Sequence, residues 1–364
     1  MDSTRERGAD LFERDQAGAS DGASGGSGGG RWDDGSSSDD PSRRREKKRN
    51  RKVLVAALIL LLVPVLAVGG YLAWLNQIVS NNVKTQLLLP DDADGAKPTN
   101  DAGEVIDVPT GTGTNYLIIG NDAGPGRVGA RSDVMVLVHV PADHSNVSLI
   151  HFPRDLYVSI PGKGKNKLNA AYAFGGAPLL VRTMQNLLGV RIDHVAMLGF
   201  EGFKSMTDAV GGVDVNVEEA SEGDGKVFRE GMMHMDGETA LVFVRQRKQL
   251  SEGDISRGQR QLAFIKALML KTLSKEVLTN PIRLKDFIQA ATSNLTVDQR
   301  LDVGTMRSEA FAMRGLRGND IRFITAPFTG FGTSPEGASI DIVDTVKMDE
   351  LGEAIRTDAM NSYK

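Results

Sequence analysis

The chain has 364 residues, a formal net charge of −4 and no cysteine. Its length allows one large domain or two ordinary ones. The lack of cysteine excludes disulfides, thiolate metal sites and a cysteine nucleophile. Because acidic and basic residues nearly balance, a general basic surface for nucleic acid is not predicted.

Residues 1–52 have the composition of a disordered segment. They combine Gly/Ser runs and acidic clusters with very few apolar residues, so they cannot bury enough surface to offset the entropy of ordering. The segment ends in a strongly basic block, residues 43–52. We predict a disordered tail over residues 1–52.

An uncharged apolar run, residues 53–75, follows the basic block. A helix needs about 20 such residues to cross a bilayer core, and Tyr71 and Trp74 stand where interfacial aromatics are common. A cleaved signal peptide is the alternative, but the run is too long and lacks a clear small-residue cleavage site. We therefore predict one transmembrane helix, with a cytoplasmic N-terminus and the rest of the chain outside the cell.

A polar linker over residues 76–114 is predicted to join this anchor to a folded domain over residues 115–364. The domain opens with three apolar strand-like runs, residues 116–120, 134–140 and 147–152. A turn-forming segment joins the last two, so they are predicted to form an antiparallel hairpin. The loop between the first two is too short for a crossover helix, which favours antiparallel pairing there as well.

This strand arrangement predicts a charged edge of the sheet. Asp122 follows the first strand, Asp133 precedes the second, and Arg154 and Asp155 follow the third. Antiparallel neighbours place these strand ends together. The carboxylates of Asp122 and Asp133 and the guanidinium of Arg154 at one edge have the composition of a metal–phosphate site.

The remainder of the domain alternates helical and strand patterns. Helices are predicted over residues 168–174, 178–188, 203–210 and 301–314, the last of them amphipathic, and strands over residues 195–200, 213–217 and 321–325. Hairpins mixed with helix–strand alternation predict an α/β fold, in which helices flank a mixed central β-sheet.

Two further segments carry arginines. Asp236 suits a helix N-cap, and the apolar run after it ends at Arg245 and Arg247. A long amphipathic helix is predicted to open within residues 253–261. Its first turns hold three polar residues whose spacing predicts a shared face; these are Arg257, Arg260 and Gln261.

Arginine binds phosphate with two hydrogen bonds at once, and helix N-termini favour anions, so these segments suit a phosphate cradle. A single arginine of this kind is more often a solvated surface residue. The large number of charged groups in these segments favours a phosphate-binding site over a solvated surface. The five histidines show no metal-ligand spacing and are predicted to be structural; they are His139, His144, His151, His194 and His234.

Seven segments, in order and spacing, resemble the motifs of the LytR-CpsA-Psr family. They are Asn115–Asp122, Arg131–Asp133, Phe152–Asp155, Lys167–Tyr172, Gly211–Val215, Asp236–Arg247 and Gly253–Gln261. The resemblance covers about residues 115–275. It differs from the family pattern in the Ala-Gly-Pro that follows Asp122 and in Val134, where threonine is common.

The resemblance implies a bacterial phosphotransferase that moves a glycopolymer from a polyprenyl-(pyro)phosphate carrier to peptidoglycan. It implies Mg²⁺ on Asp122 and Asp133, and a lipid tail in a long apolar pocket. The pyrophosphate-binding residues that it implies are Arg154, Arg245, Arg247, Arg257 and Arg260, with Gln261 alongside. The transfer needs a general base, and either Asp133 or Asp155 could supply it.

Two other functions remain open from the sequence. One is a non-catalytic glycopolymer-binding or regulatory protein of the envelope. The other is a pyrophosphatase that uses water as the acceptor. The predicted cytoplasmic tail contains no helix-turn-helix, so nucleic acid is not predicted as a partner.

Overall fold

The computed structural model describes residues 62, 66–90, 111–121, 132–247, 249–251 and 253–364, with the backbone alone for Asn121, Asp133 and Asp254. All of these except Leu62 belong to one compact unit, Val65–Lys364. The predicted tail and most of the predicted transmembrane run lie outside the described residues. Within the described residues, none of the helices is both long enough and apolar enough to cross a membrane.

Fifteen strands and nine α-helices lie within the described residues. The strands are β1 (Lys84–Thr85), β2 (Thr114–Asn121), β3 (Ser132–Val140), β4 (Val147–His151), β5 (Tyr157–Ile160), β6 (Gly164–Lys167), β7 (His194–Gly199), β8 (Val213–Val217), β9 (Ser221–Gly223), β10 (Lys226–Phe228), β11 (Gly231–Met235), β12 (Leu295–Val297), β13 (Ile321–Thr325), β14 (Phe328–Thr333) and β15 (Ser339–Val343). The helices are α1 (66–82), α2 (Leu168–Leu188), α3 (Phe200–Ala209), α4 (Gly237–Arg245), α5 (Asp254–Thr272), α6 (Lys275–Leu278), α7 (Pro281–Ser293), α8 (Val303–Ala312) and α9 (Thr345–Arg356).

Seven strands form the central sheet, in the order β1-β12-β7-β2-β3-β4-β13. The β2–β3 and β3–β4 pairs are antiparallel, whereas β2–β7 and β4–β13 are parallel. The predicted mixed sheet and the predicted hairpin are therefore confirmed. The remaining strands form two-stranded pairs outside this sheet.

Alternate residues of the central strands face two different layers. Leu117, Ile119, Leu137 and Ile150 are fully buried and belong to a core that includes the apolar residues of α2 and α9. We call this side of the sheet the α2 face. The intervening residues, Ile118 among them, point toward α3, α4 and α5 on the opposite side, which we call the α5 face.

Local signals in the sequence explain several element ends. Asp236 caps α4, because its Oδ1 accepts a hydrogen bond from the Thr239 amide at 2.8 Å. The two helices predicted on either side of residues 175–177 are one helix, α2, interrupted by non-helical Gly175 and Gly176. Gly189 then ends α2 in the left-handed conformation, with a φ of 62°.

Two predictions differ from the structure. The folded unit begins before Asn115, because β1 pairs with β12 and Leu88 and Leu89 lie in the core. The polar composition of residues 76–114 concealed these short apolar segments. Over residues 301–314 a helix is present as α8, but none of its residues is buried. The amphipathic face predicted there is wrong.

Candidate functional site

The charged edge begins at a β-bulge. In the β2–β3 ladder Gly120 pairs with Val134 and Asn121 pairs with Ser132, so Asp133 is an extra residue between two pairs. Bulges often occur beside active sites, where they change the direction of a side chain. The backbone of Asp133 therefore lies at the predicted edge. Asp122 lies outside the described residues, as does the side chain of Asp133, so their pairing stays a prediction.

The turn after β4 brings Arg154 to the same edge. The Phe152 amide donates to the Met135 carbonyl at 2.9 Å, which extends the contact with β3 beyond the end of β4. The Leu156 amide then closes a turn on the Pro153 carbonyl at 3.2 Å, and the Asn169 amide holds the Arg154 carbonyl at 3.1 Å. The first turn of α2 thus fixes the backbone of Arg154.

Asp155 is buried in an ion pair within this turn. Lys167 Nζ lies 2.9 Å from Asp155 Oδ1, and Arg154 Nε lies 3.8 Å from Asp155 Oδ2. Lys167 reaches the carboxylate because the β5–β6 ladder pairs it with Tyr157, two residues after Asp155. No role was predicted for Lys167. Its signal was its position in the Lys167–Tyr172 motif, directly before α2.

The first turns of α5 place two of the predicted residues against the end of β4. Arg257 and Gln261 are buried beside His151, which is also buried. A Cβ on Gly258 would clash with His151 Cε1, so glycine is needed for this close approach. Burial, and secondarily the positive charge of Arg257, lowers the pKa of His151 to about 4. The imidazole is therefore neutral at pH 7.

Arg260 does not join this group. Its guanidinium donates to Ser221 Oγ at 2.9 Å and to the Glu219 carbonyl at 2.5 Å, and it lies 4.6 Å from the Phe243 ring centroid. Helical geometry permits this but does not fix it, because Arg260 is about 60° from Arg257 and about 100° from Gln261 around the helix axis. The contacts with Ser221 and Glu219 decide the direction of the Arg260 side chain. The predicted shared face therefore holds for Arg257 and Gln261 but not for Arg260.

The arginine at the end of α4 and the one just beyond it are exposed. Arg245, the last residue of α4, places its Cζ 4.9 Å from the centroid of the Phe200 ring. Arg247 lies two residues later in an exposed loop. Both side chains are thus accessible to an anionic ligand.

An apolar cavity of about 220 Å³ lies between the α5 face of the sheet and helices α3, α4 and α5. Small residues on the sheet side, Gly120, Val134 and Val136, leave this space open. Aromatic and aliphatic residues line the helix side, including Phe200, Phe203, Leu241, Phe264 and Leu268. A cavity with such a lining suits an apolar chain rather than water.

One predicted site residue lines this cavity, and two others are next in sequence to residues that line it. Val134, which lines it, follows Asp133, and Val244, which also lines it, precedes Arg245. Gln261 is itself part of the wall, and its Nε2 lies 3.4 Å from the Val244 carbonyl. Residues of types that bind phosphate therefore lie next to, or in the wall of, the apolar cavity.

The metal site stays a prediction. Among the described side chains no group of three or more His, Asp or Glu residues could hold a metal ion. The predicted ligands are Asp122, which lies outside the described residues, and Asp133, described by its backbone alone.

Fold and site together define a class of α/β domain in which a mixed sheet carries an apolar cavity and the helices that line it also carry arginines. The model of the LytR_cpsA_psr family matches residues 85–357. The chain belongs to this family.

Relatives and solved structures agree with that assignment. The chain is 31% identical over 299 residues to a protein of Oceanobacillus iheyensis named polyisoprenyl-teichoic acid–peptidoglycan teichoic acid transferase TagU, covering 80% of this chain and 89% of that one. It is 33% identical over 245 residues to TagU of Enterococcus faecalis, covering 66% and 78%.

Among solved structures, the crystal structure of Bacillus subtilis TagV superposes with a TM-score of 0.58 at 25% identity, over 68% of this chain and 97% of that one. TagT bound to LI-WTA superposes with a TM-score of 0.54 at 27% identity, over 71% and 95%.

Proposed function

We propose that this protein is a membrane-anchored extracytoplasmic phosphotransferase that moves a glycopolymer from a polyprenyl-(pyro)phosphate carrier to peptidoglycan. The observation that carries the proposal is the apolar cavity, whose wall includes Gln261 and the residues next in sequence to Asp133 and Arg245. Such a site suits a ligand with an anionic head and an apolar tail. Support comes from the TagU relatives, whose name gives this type of transfer, and from TagT, whose structure holds LI-WTA.

Transfer to a sugar hydroxyl needs little covalent chemistry from the protein. It requires in-line positioning and neutralisation of phosphate charge. The acceptor oxygen attacks the phosphorus nearest the glycan, a new P–O bond forms, and the bond to the polyprenyl phosphate breaks. Arg154, Arg245 and Arg257, with Gln261, bind the anionic oxygens, and the exposed Arg247 supplies further positive charge.

The acceptor hydroxyl must lose a proton as it attacks. Asp155 is buried and paired with Lys167, so its carboxylate holds the turn that carries Arg154. We therefore assign the base to Asp133 and a positioning role to Asp155.

Asp122 and Asp133 are the residues that would hold Mg²⁺. Carboxylate oxygens are the ligands this ion prefers, and the bulge places the backbone of Asp133 beside the strand that leads to Asp122. The donor set thus fits the ion. When bound, it supplies positive charge to the phosphate oxygens.

The membrane part of the proposal rests on the sequence. Residues 53–75 form the anchor, residues 1–52 lie in the cytoplasm, and the family domain lies outside the cell. This location gives the site access to peptidoglycan and to lipid carriers in the outer leaflet.

The test uses the full chain in liposomes that contain a polyprenyl-pyrophosphate-linked glycan, with Mg²⁺ and peptidoglycan. We expect wild type to attach glycan to peptidoglycan and to release polyprenyl phosphate. Arg257→Ala should slow turnover about 10²–10³-fold, as does removal of one transition-state stabiliser elsewhere. The matched control is Arg300→Ala, an exposed arginine near the opposite edge of the sheet, which should retain activity.

The alternatives give different products. A non-catalytic binder would retain glycan binding without Mg²⁺ and after Asp133→Ala, and would turn over nothing. A pyrophosphatase would release free phosphate without attaching glycan to peptidoglycan. Either result would refute the transferase.

A further inference from the structure

A second apolar surface lies at the end of α5 that is distant from Arg257. Three consecutive elements each expose a large aliphatic side chain there. Leu273 after α5 is 41% exposed, Leu278 in α6 is 48% exposed, and Ile282 in α7 is 69% exposed. We call these residues the α6–α7 corner. Isolated apolar residues on a surface are ordinary, but contiguous groups mark interaction sites.

Ionic contacts hold the corner together. Glu276 in α6 lies 2.7 Å from Lys271 Nζ of α5 and also pairs with Arg283 of α7. Val277, on the inner side of α6, is fully buried. The exposed side chains of Leu273, Leu278 and Ile282 are therefore held in fixed positions relative to one another.

Helix α1 runs beside α7 in the same direction and in register. Tyr71 Oη donates to the Pro281 carbonyl at 2.6 Å, and eleven residues later Asn82 Nδ2 donates to Thr292 Oγ1 at 3.2 Å. Leu75, between these contacts, is buried. Tyr71 therefore lies at the same height as the first turn of α7 and the α6–α7 corner.

This alignment relates the corner to the bilayer. Tyr71 and Trp74 close the apolar run 53–75, and Trp74 is exposed. If that run spans the membrane, these aromatics occupy the interfacial region, which is roughly 5–8 Å thick on each side of the hydrocarbon core. Leu278 and Ile282 then lie within the same layer.

The charges around the corner favour an anionic membrane. Four cationic side chains stand against two acidic ones between residues 271 and 286; they are Lys271, Lys275, Arg283 and Lys285 against Glu276 and Asp286. Basic residues around an apolar patch are typical of segments that lie in the membrane interface, where they contact anionic lipids.

Resting on the membrane anchor of the proposed function, we infer that the α6–α7 corner inserts into the outer leaflet of an anionic membrane and fixes the height of the domain. Helix α5 connects this surface to the site. Leu273 follows Arg257 by sixteen residues, which is about 24 Å along a helix. Ile265 and Leu268, between them, line the apolar cavity. A prenyl tail can thus extend from the bilayer along α5 to the arginines.

The chain has no cysteine, so a single introduced cysteine can be labelled at one chosen position. Such a label reports how deeply the corner lies in the membrane. The full chains of Ile282→Cys and Val346→Cys are labelled with the same environment-sensitive fluorophore and reconstituted in anionic liposomes. Val346 in α9 is the matched control, because its 67% exposure nearly equals the 69% of Ile282. Lipids that carry a spin label near the headgroup should quench the label at 282 about twofold or more and leave the label at 346 unchanged.

Equal quenching at the two positions would overturn the inference. So would a blue-shifted but unquenched label at 282, which indicates burial against protein. A chain that does not float with liposomes would overturn both the anchor and the insertion.

An activity assay with two donors tests membrane insertion of the corner separately from the proposed transferase activity. The double variant Leu278→Asp/Ile282→Asp should turn over a long-chain donor in the bilayer about tenfold more slowly, because the acidic residues are repelled from the anionic interface. A short-chain, water-soluble donor should be processed at the wild-type rate, which also shows that the variant is folded. Val346→Asp is the control for both donors.

The outcomes are distinct. If both donors are processed normally by the double variant, the corner is not used for docking while the transferase stands. If wild type processes neither donor, the proposed function fails, and the quenching experiment decides membrane insertion independently.

Discussion

The two faces of one sheet have different packing. On the α2 face, Leu117, Ile119 and Met135 are fully buried among the apolar residues of α2 and α9. On the α5 face, the neighbouring residues Ile118 and Val134 line a cavity of about 220 Å³. The same strands therefore supply a continuous core on one side and, on the other, an apolar cavity beside a smaller core that includes Val140 and Val147.

The difference shows how the fold tolerates a large cavity. Close packing normally stabilises a domain, and empty space costs dispersion contacts. Here the α2 face retains its packing while small residues such as Gly120 open the α5 face. We infer that stability depends mainly on the first face, whereas the second carries the cavity proposed for the lipid tail.

The largest expected effect compares Leu117 with its neighbour. Leu117→Ala should lower the free energy of unfolding by about 4 kcal/mol, as in other tightly packed cores. Ile118→Ala should cost about half as much, because a side chain beside a cavity already lacks part of its packing contacts. Chemical denaturation of the full chain in detergent measures both. Equal losses would contradict the proposed division between the faces.

A pH effect of intermediate size is expected from His151, which pairs with Val136 on the α5 face. Burial lowers its pKa from 6.5 to about 4, so between these values the unfolded chain binds a proton that the folded chain does not. Stability is therefore full above pH 6.5 and falls as the pH drops toward 4. The loss reaches about 3 kcal/mol, at 1.36 kcal/mol per pKa unit.

The measurement is the free energy of unfolding at pH 7 and pH 5. His151→Leu should reduce this pH dependence, whatever its effect at pH 7. His234→Leu is the control, because the His234 side chain is 61% exposed. Burial also lowers the pKa of His139, so a smaller pH dependence should remain in His151→Leu. An unchanged pH dependence in that variant would remove His151 as its source.

The sequence predicted the parts of the fold that depend on neighbouring residues. The apolar runs and the turn at residues 141–146 were enough for the hairpin, and Asp236 was enough for the start of α4. The order of the motifs identified the family. Each of these signals lies within a few residues or in a fixed spacing.

Parts of the site depend on residues that are distant in the sequence, and these could not be predicted. The pairing of Asp155 with Lys167 requires the β5–β6 register. The separation of Arg260 from Arg257 requires Glu219 and Ser221, which lie on another element. The burial of His151 requires α5 to approach at Gly258. Helical spacing alone gave no partner for any of these side chains.

The smallest expected effect on stability comes from enlarging a valine to phenylalanine on the α5 face. The same substitution on the α2 face gives a direct comparison of the two faces. Val136→Phe places a larger side chain toward the cavity and should change the free energy of unfolding by less than about 1 kcal/mol. Val195→Phe makes the same change in the packed core of the α2 face and should cost about 1–3 kcal/mol or more through overpacking.

Turnover should show the opposite order for these two variants. Val136→Phe shortens the space for an apolar tail, so a long-chain donor should be processed about tenfold more slowly, whereas folded Val195→Phe should retain its rate. Steady-state assays with long-chain and short-chain donors measure this difference. If Val136→Phe retained full activity on the long-chain donor, the cavity would not be the site of the lipid tail, and its open packing would need another explanation.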